Sequence, residues 1–511
     1  MTAAAPSDTG TPTRMPRRDR TVIAILLVAT FVVILNETIM GVALPRLMAD
    51  LSVSARTGQW LSTAFMLTMA VVIPTTGFLL QRLTTRSVFV LAMSLFSAGT
   101  LLAAVAPTFV VLLLARIIQA CGTAVMLPLL MTTILTLVPI SRRGVVMGNV
   151  SIAISVAPAI GPTVSGVILN FLPWRFMFVL VLPIALAALV LGARRLVNVG
   201  EPGRHKLDLL SVVLSVPAFG GIVYGLSQLG RPDAENTVPV TALAVGTVCL
   251  LLFGWRQRRL TRPGNPLLDL GAFRYPMFSL SVALLCIAMM GLFGVVILLP
   301  IYLQSVHGIS ALQTGLMLLP GGLLMGVLGP TVGRLFDTYG PKVLTISGSV
   351  LLTVILWRMS ALEPDTAIWV LVLLHMVMMG SLALLFTPAF TTALNPLPPQ
   401  LYSHGSAILT TLQQVAGAAG TALLVAIMAG RTARLTASGA DAVTAQNSGI
   451  SSAFLVAAAI AAGSILCAVF MRGPKPGERS RGPHSAPDDL DVEAGIADLR
   501  VEPDPERHVR L

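Results

Sequence analysis

Charge is scarce in this sequence. Only 11% of its 511 residues are Asp, Glu, Lys or Arg, against 55% that are apolar, which leaves too little polar surface for a water-soluble domain of this length. Lysine is nearly missing, with 31 arginines to three lysines. The four cysteines, Cys121, Cys249, Cys286 and Cys467, stand far apart inside apolar stretches, which excludes a disulfide framework and a metal knuckle and makes them packing residues. No glycine loop of the phosphate-cradling Gly-x4-Gly-Lys-Ser/Thr form occurs, so an ATP-driven pump is excluded. Acids on the polar connections (Asp50, Asp233, Glu235, Glu363, Asp365, Asp441) are scattered along short loops. A polytopic membrane enzyme, which would gather its acids or metal ligands at one membrane face, is therefore a distant alternative.

What the chain does have is long apolar runs, and a mean hydropathy of +0.85. About 20 apolar residues cross a ~30 Å hydrocarbon core as a helix. Fourteen such spans are expected, near 21–44, 58–80, 87–105, 109–137, 147–170, 174–193, 208–229, 237–255, 276–303, 312–333, 342–360, 366–394, 404–430 and 450–471. The fold class is an all-α polytopic membrane protein. With the N-terminus in the cytoplasm, the outward loops hold only Arg46, Arg56, Arg175, Arg231, Arg358, Arg431 and Arg434, while every other interhelical arginine and lysine falls inside. That bias places both termini in the cytoplasm and accounts for the net charge of +12. Basic residues spread over short loops do not form a nucleic-acid surface. The first run is too long for a cleaved signal and carries Glu37, so it reads as a retained helix. From residue 472 the chain turns rich in Pro, Arg, Asp and Glu and is expected to be disordered in the cytosol.

Glu37 is the sharpest feature. A carboxyl at bilayer depth costs a few kcal/mol and marks a functional site by default, here one that takes up and releases a proton. Arg116, in the fourth span, is the second charge placed inside the membrane, and Gln119 lies one turn from it on the same helix face. Burial and a neighbouring guanidinium act on a carboxyl in opposite senses, so small rearrangements change its hold on a proton. A purely structural ion pair between two helices is the competing reading.

Two stretches about 256 residues apart repeat one plan, a span ending after a proline, a second span, and a glycine-led basic turn. The first copy runs from Ala43-Leu44-Pro45 to Gly77, Gln81, Arg82 and Arg86; the second runs from Leu299-Pro300 to Gly333, Asp337, Gly340 and Lys342. Six spans (21–193), two extra spans with their linkers (194–274) and six more (275–471) follow, between tails 1–20 and 472–511. Transporters built from such repeats place the substrate between their halves. Read alone, the turns are also consistent with tight connections whose glycines permit positive φ, with Asp337 accepting from the amides that start the next helix.

The second copy, Gly333-x-Leu335-x-Asp337-x-x-Gly340-x-Lys342, resembles the loop signature of the major facilitator superfamily. The first departs from it, with Gln81 at the Asp position and Thr85 at a Gly position, so a charge relay through that loop is not expected. Arg116-Ile117-Ile118-Gln119-Ala120-Cys121-Gly122 is similar to the family's fourth-span pattern. Gly148, Ala157, Gly161, Pro162, Ser165 and Gly166 fit its fifth-span antiporter motif, with Ala and Ser at two glycine positions; a generic packing helix is the competing reading. Together with Asn36-Glu37-Thr38, Trp60 and Trp174-Arg175-Phe176, these motifs make residues 20–471 resemble the fourteen-span drug:proton antiporters of the EmrB/QacA type, closest to lincomycin-resistance members. The resemblance implies two six-helix halves rocking about a central cavity, Arg116 paired with Glu37, and export of lipophilic drugs driven by the proton gradient with no cofactor. One acid implies about one proton per cycle and a preference for neutral or monocationic compounds.

Candidate wall residues are Asn36, Phe65, Met66, Met69, Gln119, Met126, Asn149, Tyr302, Gln304, His375, Phe386, Phe390 and Gln413, since methionines and aromatics adapt to varied apolar ligands. His375 falls near the counterpart of Arg116 in the second half. The expected partners are a small lipophilic substrate, the proton and membrane lipid, with a periplasmic adaptor only in a cell that has an outer membrane; the chain is expected to be a plasma-membrane monomer. A dedicated exporter of one natural product, lipid or peptide uses the same scaffold and remains the alternative.

Overall fold

The computed structural model describes residues 16–58, 60–139, 142–198, 208–228, 237–261 and 266–472, so the expected cytosolic tail and the loop acids Asp233 and Glu235 lie outside the described residues. Regular structure among the described residues is entirely helical. The first six long helices are α1 (Arg17–Asp50), α2 (Trp60–Arg82), α3 (Thr85–Ala104), α4 (Phe109–Leu137), α5 (Arg143–Phe171) and α6 (Phe176–Arg195). Next comes α7, which runs through Leu209–Ser215, a π-turn at Val216–Gly220 and Gly221–Gln228, followed by α8 (Thr237–Thr261). The remainder are α9 (Pro276–Ser305), α10 (Ala311–Tyr339), α11 (Pro341–Met359), α12 (Ile368–Leu394), α13 (Tyr402–Ala437) and α14 (Ala442–Phe470). Thirteen of these are long and apolar enough to cross a membrane. The 29-residue α5, some of whose side chains lie outside the described residues, makes the fourteenth.

Local chemistry starts and stops these helices. Thr84 and Thr108 cap α3 and α4 by accepting from Ser87 N and Val111 N. Ser310 and Gln313 form a reciprocal capping box at α10. Gly340, at φ 77°, ends α10 and lets Pro341 open α11 at once. Several helices run past their apolar spans: α1 begins at Arg17 and ends at Asp50, and α13 continues to Ala437. Hydropathy loses a helix where it leaves lipid, but the backbone hydrogen bonds continue.

The α7–α8 pair is fastened tightly to itself. A Cβ on Gly221 would lie 2.8 Å from Ala242 O, one on Gly225 2.8 Å from Pro239 O, and one on Gly246 2.7 Å from Ile222 N, so only glycine permits this approach. α7 then lies against both α2 and α13, with Trp60 stacked on Tyr224 at 5.9 Å. The extra pair therefore covers the seam between α2 and α13, a location that nothing in its own residues announced.

Its other end is tied down by Gln257, which is fully buried. Gln257 Nε2 donates to Ser211 Oγ at 2.7 Å, and Oε1 accepts from Leu267 N (2.7 Å) and Leu268 N (3.1 Å). Beside it Asp208, just ahead of α7, accepts two 2.7 Å bonds from Arg256 and one from Ser211. Hydrogen bonding from Arg256 holds the Asp208 carboxyl below its usual range. Gln257→Leu would leave two buried amides without their acceptor, at about 1–3 kcal/mol each. Hydrogen–deuterium exchange should speed up across 266–275 in that variant and stay unchanged in α9; uniform protection in both would show that Gln257 does not hold the linker.

Candidate functional site

The site forms where α1, α2, α3 and α4 meet. Arg116, 1% exposed, donates from Nη1 to Asn36 Oδ1 at 3.2 Å and to Gln119 Oε1 at 3.0 Å. Gln119 Nε2 donates to Thr100 Oγ1 at 2.9 Å, and the Thr100 hydroxyl donates in turn to Phe96 O at 2.7 Å. The guanidinium carbon sits 4.0 Å from the centre of the Phe65 ring, close enough for a cation–π contact at a buried guanidinium. The result is a continuous polar string through an apolar bundle, with Arg116 Nε left without a hydrogen-bond partner.

Close helix contact makes the string possible. A Cβ on Gly99 would lie 2.6 Å from Gln119 N and 2.7 Å from Ala115 O, and one on Gly122 2.7 Å from Phe96 N. These glycines bring α3 against α4 so that Thr100 reaches Gln119.

The expected pairing of Glu37 with Arg116 takes the form of a charge interaction, while the hydrogen bonds of the guanidinium go to Asn36 and Gln119. Among the described residues the carboxylate–guanidinium contact is Asp208–Arg256, whereas Arg116 is held by Asn36 and interacts with Glu37 through space. Consecutive helical residues point about 100° apart. Asn36 turns into α4 and is 3% exposed, and Glu37 beside it is half-buried. Thr38, on the next position, donates to Ala157 O at 3.4 Å.

That contact gives the fifth-span motif a specific geometry. Ala157 and Gly161 face α1, where a Cβ on Gly161 would lie 2.9 Å from Thr38 Cβ. Gly148 and Gly166 face α10: a Cβ on Gly148 would lie 2.9 Å from Pro330 Cα, and one on Gly166 2.9 Å from Leu312 Cδ1. Ser165 turns to α6 and bonds Met177 Sδ at 3.3 Å; the side chain of Pro162 lies outside the described residues. α5 thus joins the helix of Glu37 to the second half through two separate stripes.

The loop motifs tie the same end of the bundle across the halves. Asp337 Oδ2 accepts from Val145 N at 3.2 Å. The amide it accepts from opens α5 in the other half, because Gly144 and Gly333 let α5 and α10 touch backbone to backbone. In the first copy Gln81 Nε2 reaches Gln400 O at 3.1 Å just before α13, so a neutral amide makes the corresponding tie. Gly77 packs on His404 of α13, Arg82 lies over Phe78 at 5.8 Å, the Arg86 amide donates to Asn198, and Lys342 is exposed.

Sequence reasoning counted Arg143 only as loop charge, yet it is 5% exposed. It donates to Val138 O (3.1 Å), Leu135 O (2.6 Å), Asn395 Oδ1 (3.0 Å) and Tyr402 Oη (3.3 Å), and so joins α4 and α5 to α12 and α13. A signal was present: a cation in the first turn opposes the helix dipole, so an arginine there needs a tertiary reason.

The wall residues separate. Phe65 and Met69 form a small cluster of their own with Ile73, Ala120 and Ala124, and Gln414 touches Met69 Sδ at 3.8 Å. Met66 and Asn149 are half-buried. Met126, Phe386 and Phe390 pack in the main core. Tyr302 is pinned to Glu363 O at 2.6 Å beyond the end of α11, and Gln304 is exposed in the last turn of α9, so both sit away from the Arg116 string. His375 is buried against Gly321 of α10, where a Cβ would lie 2.8 Å from Nε2, with Nδ1 unpartnered. Gln413 is 4% exposed, also with an unpartnered nitrogen.

Fourteen spans, repeated turns and a buried polar string define a multi-pass membrane transporter. The chain belongs to the Major Facilitator Superfamily, whose model matches residues 26–421. It is 41% identical over 459 residues to the lincomycin resistance protein LmrB of Listeria monocytogenes, covering 89% of this chain and 97% of that one. It is 41% identical to LmrB of Bacillus subtilis (88% and 95% covered) and 31% identical to the multidrug export protein EmrB of Haemophilus influenzae (78% of each). The crystal structure of the human organic anion transporter MFSD10 shares the fold, with a TM-score of 0.63 at 14% identity over 89% of this chain and all of that one.

Proposed function

We propose that this protein is a proton-coupled antiporter that exports lincosamide-like and other lipophilic antibiotics from the cytoplasm or inner leaflet by alternating access. The observation that carries the reading is the polar string Asn36–Arg116–Gln119–Thr100 beside Glu37. Ionisable groups are kept at such depth where an ion or substrate uses them. Glu37 takes a proton from the outside and releases it inward, and Arg116, held through Asn36, is the charge against which it titrates. Relatives named for lincomycin resistance and multidrug export support this substrate class.

With both termini cytoplasmic, the ties from Arg143, Asp337 and Gln81 hold the inward side shut between the halves. Phe65, Met66, Met69, Asn149, Gln413 and His375 line or adjoin the drug path, and the proton gradient supplies the energy without a cofactor. In proteoliposomes with an acidic lumen, lincomycin or a monocationic dye outside should accumulate inside in exchange for protons. Collapse of the gradient by a protonophore should stop it; uptake that ignores the protonophore would overturn antiport.

A further inference from the structure

At the end of the bundle where α1 begins, α1 and α6 line an open groove of about 660 Å³. Arg17 and Arg20 stand at its mouth, and Ala24 and Val28 on α1 face Ala188 and Leu191 on α6 below them. Positions 17, 20, 24 and 28 lie on one helix face. From Arg20 to Val28 the wall descends roughly 12 Å, close to the depth of one hydrocarbon leaflet.

Three observations indicate the occupant. Neither Arg17 nor Arg20 has a side-chain hydrogen bond or ion pair among the described residues. Pro16 supplies no side-chain cap, so first-turn amides of α1 remain available beside the two guanidiniums. Arg194 and Arg195 in the last turn of α6 add positive charge, against Asp19 in the first turn of α1. The wall beneath is apolar and open, with Val28 52% and Leu191 46% exposed. A cationic drug would be repelled at the mouth, and a free anion would make no use of the wall.

We propose that this groove binds an anionic phospholipid, its phosphate on Arg17, Arg20 and the first-turn amides and an acyl chain along Ala24, Val28, Ala188 and Leu191. The site stands apart from the proton site, its mouth at Arg20 about 25 Å and its lower end at Val28 about 13 Å along α1 from Glu37, and does not depend on the transport reading. Its lipid clamps α1, the helix of Glu37, against α6.

The test is native mass spectrometry of the delipidated full chain titrated with phosphatidylglycerol, phosphatidylcholine or inorganic phosphate. Two variants are compared: Arg17→Gln/Arg20→Gln, which removes the charge, and Ala24→Trp, which fills the groove and leaves the charge. All three side chains are exposed, so both variants should fold, which circular dichroism checks. The wild type is expected to hold one phosphatidylglycerol more tightly than phosphatidylcholine. The double variant should lose about thirtyfold of that affinity, from ~1 kcal/mol per arginine near an anionic lipid, and Ala24→Trp should lose retention as well. Equal binding of the two lipids, phosphatidylglycerol retention unchanged in both variants, or displacement of the lipid by inorganic phosphate would each overturn the proposal. If one variant fails to fold, the other decides.

Discussion

Glu37→Gln should abolish gradient-driven drug flux while leaving drug binding in place. The amide keeps the size and hydrogen-bonding reach of the protonated carboxyl but cannot exchange a proton, so the cycle loses its coupling step rather than its fold. Asn36, Arg116 and Gln119 keep their bonds in this variant, because none of them is made to Glu37. Counterflow without a gradient should therefore persist, and binding should no longer respond to pH near the site. Arg116→Gln removes the charge that acts on Glu37 and also breaks the string, so binding and stability should both suffer. Normal coupling in Glu37→Gln would move the proton role to His375, a buried group with an unpartnered ring nitrogen, or to Asp337.

Gly148→Ala should be among the most damaging small changes in the described residues. The added carbon would meet Gly329 O, Gly329 C at 2.7 Å and Pro330 Cα at 2.9 Å. All three are backbone atoms, which cannot rotate aside as a side chain can. α5 and α10 would have to part, and the tie from Val145 N to Asp337 would stretch with them. Overpacking of this kind costs about 1–3 kcal/mol, to which loss of a charge-assisted hydrogen bond adds about 1.5–3 kcal/mol. The expected result is a lower thermal midpoint in detergent together with lost flux and a gradient-independent leak. Gly254→Ala is the control, since no atom lies within 4 Å of its added carbon. A Gly148→Ala protein as stable and active as Gly254→Ala would show that α5 and α10 are not locked here.

The two predictions draw on different sources. Glu37 and Arg116 were legible because a charge inside a 20-residue apolar run has a cost visible without coordinates. The glycines of the fifth span were legible as a motif, but their division into a stripe on α1 and a stripe on α10 was not. Small residues announce close packing without naming the neighbour. Asp337 shows the same limit: an amide it accepts from lies 192 positions earlier in the chain.

By itself the sequence determined the all-helical class, the span count, the repeated turns and the two intramembrane charges, because each follows from local composition against a fixed bilayer thickness. Tertiary structure decided that Asn36 and not Glu37 takes the guanidinium, since that depends on the rotation of α1 relative to α4. It turned Arg143 from a loop charge into a buried tie among four helices, and it laid α7 over the α2–α13 seam. Those outcomes rest on which helix faces meet, and a helix in lipid is apolar on nearly every face, so hydropathy carries no direction from which its neighbours could be read.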